Sequence, residues 1–272
     1  MPGGTAILNR DDRYCRRLGA EELKADLLWY GRLPTNRPVE PLPPGLYFEN
    51  LGSSRDGITA ELHLSSPGSF LELRASSHPL SCPVLGKHHI YVLLPAILTG
   101  LVSGFDLECA CDLLSTLSLP PGRMTPIPGI DSTTILDSSW NASPRSVEAA
   151  LETLGDYPAR RRIALLGSML QQGDASESIH RGIGRLTPRH AEMLITVGSE
   201  ARQIADGARD QGMPDEQVHS FDTAGEAGLY LKESLRCGDV ILVKGSRAVQ
   251  LDHTVRAIMG DPDQADRLLV KL

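Results

Sequence analysis

The sequence predicts an α/β fold whose clearest part, residues 132–272, is an open, doubly wound, mostly parallel sheet with helices on both faces. Three observations predict it. From Thr133 onward short apolar runs alternate regularly with amphipathic stretches. Runs such as IALLG (163–167) and VILV (240–243) are apolar throughout, as strands covered on both faces must be. Each run then stops at a polar or turn-forming residue, among them Asp137, Gly198 and Lys244.

In order, strand TTILD (133–137) leads to helix SVEAALETL (146–154), and strand RRIALLG (161–167) leads to a helix near Glu177–Leu186. Strand AEMLITVG precedes helix EARQIADGARDQG, and strand QVHSF precedes helix AGEAGLYLKESLR. Strand DVILVKG (239–245) precedes a helix over SRAVQLDHTVRAIM (246–259). The first 131 residues are less regular. AILN reads as a short strand, Ala20–Trp29 as a helix, and PTNRPVEPLPPG as a loop. GLYFENL, ITAELHLSS and SFLELRASS alternate as half-buried antiparallel strands do. HHIYVLLPAILTGLVSG and DLECACDLLSTL read as helices, the second N-capped by Asp106, and PPGRMTPIPG is a turn-rich joint.

Composition removes several classes of function. Of 272 residues, 41% are hydrophobic and 22% charged, a globular balance, and only 4% are aromatic, so the core must be aliphatic. A net charge of −7 argues against a nucleic-acid binder, which needs a basic surface to neutralise phosphates. The basic knot Arg160-Arg161-Arg162 reads as a solvated cap before a strand. Five scattered cysteines (Cys15, Cys82, Cys109, Cys111, Cys237) read as buried free thiols in a reducing compartment. The opening residues lack the pattern of a signal peptide, and the longest apolar run is too short to span a bilayer, so a cytoplasmic chain with no membrane partner is expected.

In doubly wound domains ligands sit beyond the carboxyl ends of the strands, which directs attention to four loops. After TTIL stand Asp137, Ser138, Trp140, Asn141 and Ser143. Helix capping accounts for one of Asn141 or Ser143; a strand-end carboxylate could accept from a ribose hydroxyl, and a nearby amide could bond a base or phosphate. After ILV comes Lys244-Gly245-Ser246-Arg247, a cation, unhindered N–H groups and a hydroxyl that suit a carboxylate or phosphate, or a plain surface turn. It is not a Walker A loop, because the preceding GxxxxG is missing. His180 reads as structural. The adjacent histidines of Gly86-Lys87-His88-His89 point in different directions and form no ready chelate, so no metal ligand is assigned. Arg123 could reach a bound ligand or lie exposed.

Taken together, PVLGKHHIYVLLPAILTGLVSGFDLE, PPGRM, TTILDSSWNASPRSVEAALETL, RRIALLGSMLQQG, SESIHRGIG, ITVGSEARQIADGA and GDVILVKGSRAV resemble Mur ligases in order and spacing, most nearly the MurF type. The resemblance runs along nearly the whole chain and is weakest between about residues 20 and 80. It implies that residues 1–131 are the later part of the family's central ATP-binding domain and residues 132–272 its Rossmann-like C-terminal domain. The activity it implies is ATP-dependent C–N ligation in peptidoglycan precursor synthesis, adding a dipeptide or amino-acid amine to a UDP-muramoyl peptide through an acyl phosphate, with Mg²⁺ neutralising the phosphates. By resemblance, Arg123 and Asp137 contact the ribose and Asn141 lines the nucleotide side. Lys244, Gly245, Ser246 and Arg247 face the dipeptide or the acyl end, and His88 matches the His of the family's GxHN segment.

The departures are as informative. The 272 residues hold no TGTxGKT-like P-loop, nor the family's magnesium-binding region or UDP-binding domain, so no catalytic residue is assigned and independent activity is not expected. His89 and Val92 stand where GxHNxxN carries amides, Ser138 where a DDSYNANP-like segment carries a second carboxylate, and Ser143 where it carries an amide. Ser168 and Gln172 replace acidic groups of a GDMLELG-like segment. Four further readings stay open: half of a split ligase completed by a separate P-loop-bearing polypeptide, a non-catalytic binding or regulatory module, a ligase of another amide-forming pathway, and a gene fragment.

Overall fold

The structure, a computed structural model, describes residues 4–21, 23–34, 42–66 and 76–270. The chain forms two compact units, Met1–Ser118 and Leu119–Leu272.

The first unit is a mixed five-stranded sheet in chain order: β1 (Gly4–Asn9), β2 (Ala25–Arg32), β3 (Gly45–Ser54), β4 (Gly57–Ser65) and β5 (Ser76–Cys82). Strands β1, β2 and β3 pair in parallel, whereas β3, β4 and β5 pair antiparallel. The helix expected at Ala20–Trp29 is not formed. Instead Asp12 caps a short α1 (Arg13–Gly19), its carboxylate accepting from the Tyr14 and Cys15 amides, and Ala25–Arg32 is strand. Pairing along both edges of β2 outweighs the weak helical propensity of its sequence. Most of the expected strand SFLELRASS lies outside the described residues.

Two helices pack on this sheet, α2 (Ile90–Val102) and α3 (Leu107–Leu114). α2 buries Ile90, Leu93, Leu94, Ile97, Leu98 and Leu101, the spacing of one helical face. Asp106 caps α3 as its sequence predicts, accepting from the Cys109 amide at 2.7 Å. All five thiols are free, but only Cys82 and Cys111 are buried; Cys109 and Cys237 are exposed, since Cys109 lies off the buried stripe of α3 and Cys237 lies in a turn. The expectation of uniformly buried thiols is corrected accordingly.

The second unit is a six-stranded sheet of β6 (Thr125–Pro128), β7 (Thr134–Asp137), β8 (Arg161–Gly167), β9 (Met193–Val197), β10 (Val218–Phe221) and β11 (Asp239–Lys244). Their spatial order is β10-β9-β8-β11-β7-β6, and every pairing is parallel except β6 with β7. The chain steps outward from β8 to β10, then returns to insert β11 between β8 and β7, the signature of double winding. Part of the joint PPGRMTPIPG is thus strand β6, and this sheet begins on the early side of the 131/132 joint read from the sequence. Its two prolines are tolerated because β6 is an edge.

Helices α4 (Pro144–Asp156), α5 (Ser176–Leu186), α6 (Arg202–Asp210), α7 (Ala224–Ser234), α8 (Asp252–Ile258) and α9 (Ala265–Leu268) complete the unit. Ile163, Leu165, Ile195, Val197, Ile241 and Val243 pack one face of the sheet against Ala227, Leu231, Val255 and Ile258. The alternate strand residues Ala164, Leu166, Leu194 and Leu242 are equally buried, as double-sided cover requires. The single helix expected over 246–259 is broken. Arg247–Val249 forms one 3-10 turn, Gln250 takes a left-handed conformation (φ 56°), and α8 starts at Asp252. Among the described residues no helix is long and apolar enough to cross a membrane.

Candidate functional site

The carboxyl ends of β7 and β11 lie side by side, because these strands pair in parallel with Val243 beside Asp137. The turn after β7 continues the pairing by one bond: the Ser138 amide donates to the Val243 carbonyl at 2.9 Å. Asp137 is fully buried, and its Oδ1 accepts from the Ser139 amide at 3.1 Å. Burial pushes its carboxyl up to about 6, so it is mostly ionised at neutral pH at a substantial cost.

Lys244, last in β11, is also buried, and its ammonium donates to the Asn141 carbonyl at 2.8 Å and to Ser138 Oγ at 3.2 Å. Burial, reinforced by Arg123 and opposed by Asp137, lowers it to about 8. The sequence points Lys244 at an incoming ligand; the structure turns two of its three N–H groups onto the 138–141 turn. Ser138, where the resemblance would place a second carboxylate, is therefore an acceptor for that lysine.

Asn141 and Trp140 form the exposed tip of the turn, and the Trp140 backbone N–H donates a hydrogen bond to the Gly122 carbonyl at 3.2 Å. The guanidinium groups of Arg123 and Arg247 each lie 5.9 Å from the Trp140 ring centroid, within cation–π range. Trp140 and Arg123 line a cleft of about 430 Å³ together with Pro120, Pro121, Leu269 and Val270. Arg247 also donates to Asp252 Oδ1 at 2.8 Å across the break before α8.

The rest of the KGSR turn faces β8. A side chain at Gly245 would come within 2.8 Å of Leu251 Cδ1 and 3.0 Å of the Gly167 Cα, so the two strand ends touch backbone to backbone. Ser246 locks that contact: its amide donates to the Ser168 carbonyl (3.1 Å) and its Oγ accepts from the Leu170 amide (2.9 Å). Gly245 and Ser246 thus shape the site from below. His180 is fully buried; its Nε2 accepts from the Met169 amide at 2.9 Å and its Nδ1 lies 2.7 Å from the Ser176 carbonyl. That pattern fixes a neutral ring with the proton on Nδ1, the structural role read from the sequence. His88 belongs to the first unit, exposed in the 3-10 turn Lys87–His89 and 4.2 Å from the His89 ring.

Three buried polar atoms of this cluster make no hydrogen bond of normal geometry, Asp137 Oδ2, Ser139 Oγ and an Arg247 terminal nitrogen, although the Ser139 hydroxyl and the Gly122 amide lie close enough to the Asp137 carboxyl to favour its charged form. Native proteins rarely leave such groups unmatched, and each would cost about 1–3 kcal/mol unless a water or ligand serves it. An acceptor, a hydroxyl and a cationic donor suit a polyhydroxyl group such as a ribose, and Trp140 with its two cations suits a planar or anionic neighbour. A magnesium ion is not accommodated in the same way. Among the described residues no carboxylate or histidine trio converges here, and Asp252 is already paired to Arg247. Ser139 and Asp252 as site members were not singled out from the sequence, which named Trp140 at the strand end without a role; the crowding of polar residues after Asp137 marked the place.

The chain is similar to known proteins in sequence and fold. Residues 122–247 match the family described as Mur ligase, glutamate ligase domain. A UDP-N-acetylmuramoyl-tripeptide–D-alanyl-D-alanine ligase from Bacillus subtilis is 28% identical over 279 residues, covering 96% of this chain and 60% of the relative. Its counterpart from Mycobacterium leprae is 29% identical, covering 96% of this chain and 53% of its own. Among solved structures, MurF from Acinetobacter baumannii aligns with a TM-score of 0.74 at 20% identity, over 94% of this chain and 51% of that one. MurF from Thermotoga maritima in complex with ADP aligns with a TM-score of 0.71 at 17% identity, over 98% of this chain and 55% of that one. The fold is thus of the Mur ligase class, and residues 122–247 match that family's glutamate ligase domain. The relatives along the chain's length are of the MurF type, and it spans between half and two thirds of their length.

Proposed function

We propose that this chain contributes the nucleotide-facing and amine-facing parts of a MurF-like ligase of peptidoglycan precursor synthesis. The reaction would join the terminal carboxylate of a UDP-muramoyl peptide to the amine of a D-alanyl-D-alanine-type dipeptide. ATP would supply activation of that carboxylate as an acyl phosphate. One observation carries the reading: the buried Asp137 carboxylate, with Oδ2 making no hydrogen bond of normal geometry, stands at the strand end beside Ser139, Arg247 and Trp140. In this reading Asp137 accepts from the ribose, Arg123 and Trp140 border the base or phosphates, and Asn141 lines the same side. Lys244 orients the turn that carries Trp140 and Asn141, and Arg247 is the cation nearest the acyl end. Residues 1–131 then act as the later part of the central domain, with His88 near the nucleotide.

A graft tests it. This chain replaces the matched segment of the Bacillus subtilis relative, and dipeptide addition to a UDP-muramoyl tripeptide is measured. Recovery of ATP-dependent ligation that falls with Asp137→Asn supports the reading; a folded but inert graft overturns it. One observation favours a second reading, a non-catalytic nucleotide or peptide module. Val92, where the resemblance expects an amide, is exposed and apolar, and the His89 ring is committed to the Leu85 carbonyl at 2.8 Å. A folded graft that binds nucleotide without ligating would favour it.

A further inference from the structure

The first unit carries a cluster that the ligase reading does not use. In the antiparallel pair β3–β4, Glu49 stands directly opposite Glu61, and His63 lies two residues along β4. In a pleated sheet, opposite residues share a face and so do residues two apart, so all three side chains project from one side. Like charges set directly opposite one another destabilise a sheet unless something lies between them.

The three donor atoms meet within 4.8 Å of one another. His63 is half-buried, and its Nε2 lies 2.9 Å from Glu49 Oε1, so imidazole and carboxylate already face one another at ion-pair distance, with the exposed Glu61 beside them. Glu61 is steadied from the other side by Asn50, whose amide lies 3.4 Å from Glu61 Oε2. Asn50 reaches it from a left-handed conformation (φ 52°) at the irregularity where the β3–β4 register shifts. A polar residue placed to hold a carboxylate is the arrangement that orients metal ligands. For bonds of about 2.0–2.1 Å in a tetrahedron, neighbouring donors stand roughly 3.3 Å apart, so small rotations of these side chains would close the site.

We propose that Glu49, Glu61 and His63 bind a divalent transition-metal ion of the zinc class, with water completing the coordination. One imidazole and two carboxylates suit zinc better than magnesium, which prefers all-oxygen octahedra. The site tethers β3 to β4 beside the bulge, and it is separate from the residues proposed to meet nucleotide.

The test is calorimetric titration of the chelator-treated chain with ZnCl2. Variants His63→Ala and Glu61→Gln probe the site, His78→Ala on the neighbouring strand is the control, and circular dichroism verifies folding. The expected result is one saturable site that each ligand variant weakens by at least about tenfold and His78→Ala leaves unchanged. Co²⁺ bound there should show d–d absorption without a thiolate charge-transfer band, which separates it from the exposed Cys109 and Cys237. Absence of saturable binding up to about 1 mM zinc would overturn the proposal. So would a site that survives both ligand variants, or one whose Co²⁺ spectrum reports thiolate.

Discussion

The ammonium of Lys244 donates to the main-chain carbonyl of Asn141 at 2.8 Å, tying the end of β11 to the turn after β7. A buried cation that bonds a backbone carbonyl and the Ser138 hydroxyl is a structural clamp, and it sets where Trp140 stands. Two effects oppose each other in a Lys244→Met variant. The Asn141 carbonyl and Ser138 lose a donor, at about 1–3 kcal/mol, while the cost of desolvating the ammonium disappears. Global stability should therefore change by less than about 2 kcal/mol, while amide exchange at Trp140 accelerates by at least tenfold. Hydrogen exchange read by mass spectrometry or NMR checks both. Wild-type stability relative to this variant should rise between pH 8 and 10.5, where the folded lysine has shed its proton and the unfolded one has not.

Asp137 gives the opposite pH signature. Its carboxyl titrates near 6 in the folded chain against 3.8 as the ordinary value. Between those values the folded state holds a proton that the unfolded state has lost, so stability falls as pH rises through the window. A carboxyl raised from 3.8 to about 6 destabilises the fold by roughly 3 kcal/mol once both states are ionised. Asp137→Asn should therefore gain on the wild type by about that amount between pH 3.5 and 7, measured by urea unfolding across that range.

Gly245 tests the backbone contact between β8 and β11. A methyl there would press on Leu251 and on the Gly167 backbone, so Gly245→Ala should destabilise by about 1–3 kcal/mol in thermal or urea unfolding. Gly225→Ala, whose nearest neighbour would be 4.0 Å away at Thr223, should have no such cost.

His180 should behave as a framework residue. His180→Leu leaves the Met169 amide without its partner and removes the ring's contact to the Ser176 carbonyl, and about 1–3 kcal/mol of stability should be lost.

Much of the second unit was legible because its strands are buried on both faces: ILVK and IALLG admit few readings other than central strands. The first unit was harder. ADLLWYGR carries no strict alternation, and only its pairing to β1 and β3 makes it a strand. The site was legible in its location and in Asp137, since polar residues crowd one strand end. What no spacing revealed was direction. Lys244 turns inward to Ser138 and Asn141, and Arg247 pairs with Asp252 across a left-handed Gln250. The cross-strand trio Glu49, Glu61 and His63 likewise emerges only once the β3–β4 register is known.

The central claim is that the Asp137 strand end meets nucleotide, and ADP titration of the chain by calorimetry tests it most directly. The account predicts saturable binding that Asp137→Asn weakens by about tenfold, or 1.4 kcal/mol, although that variant is the more stable protein at pH 7. Equal affinity in the two proteins, or no binding to the folded wild type, would contradict it.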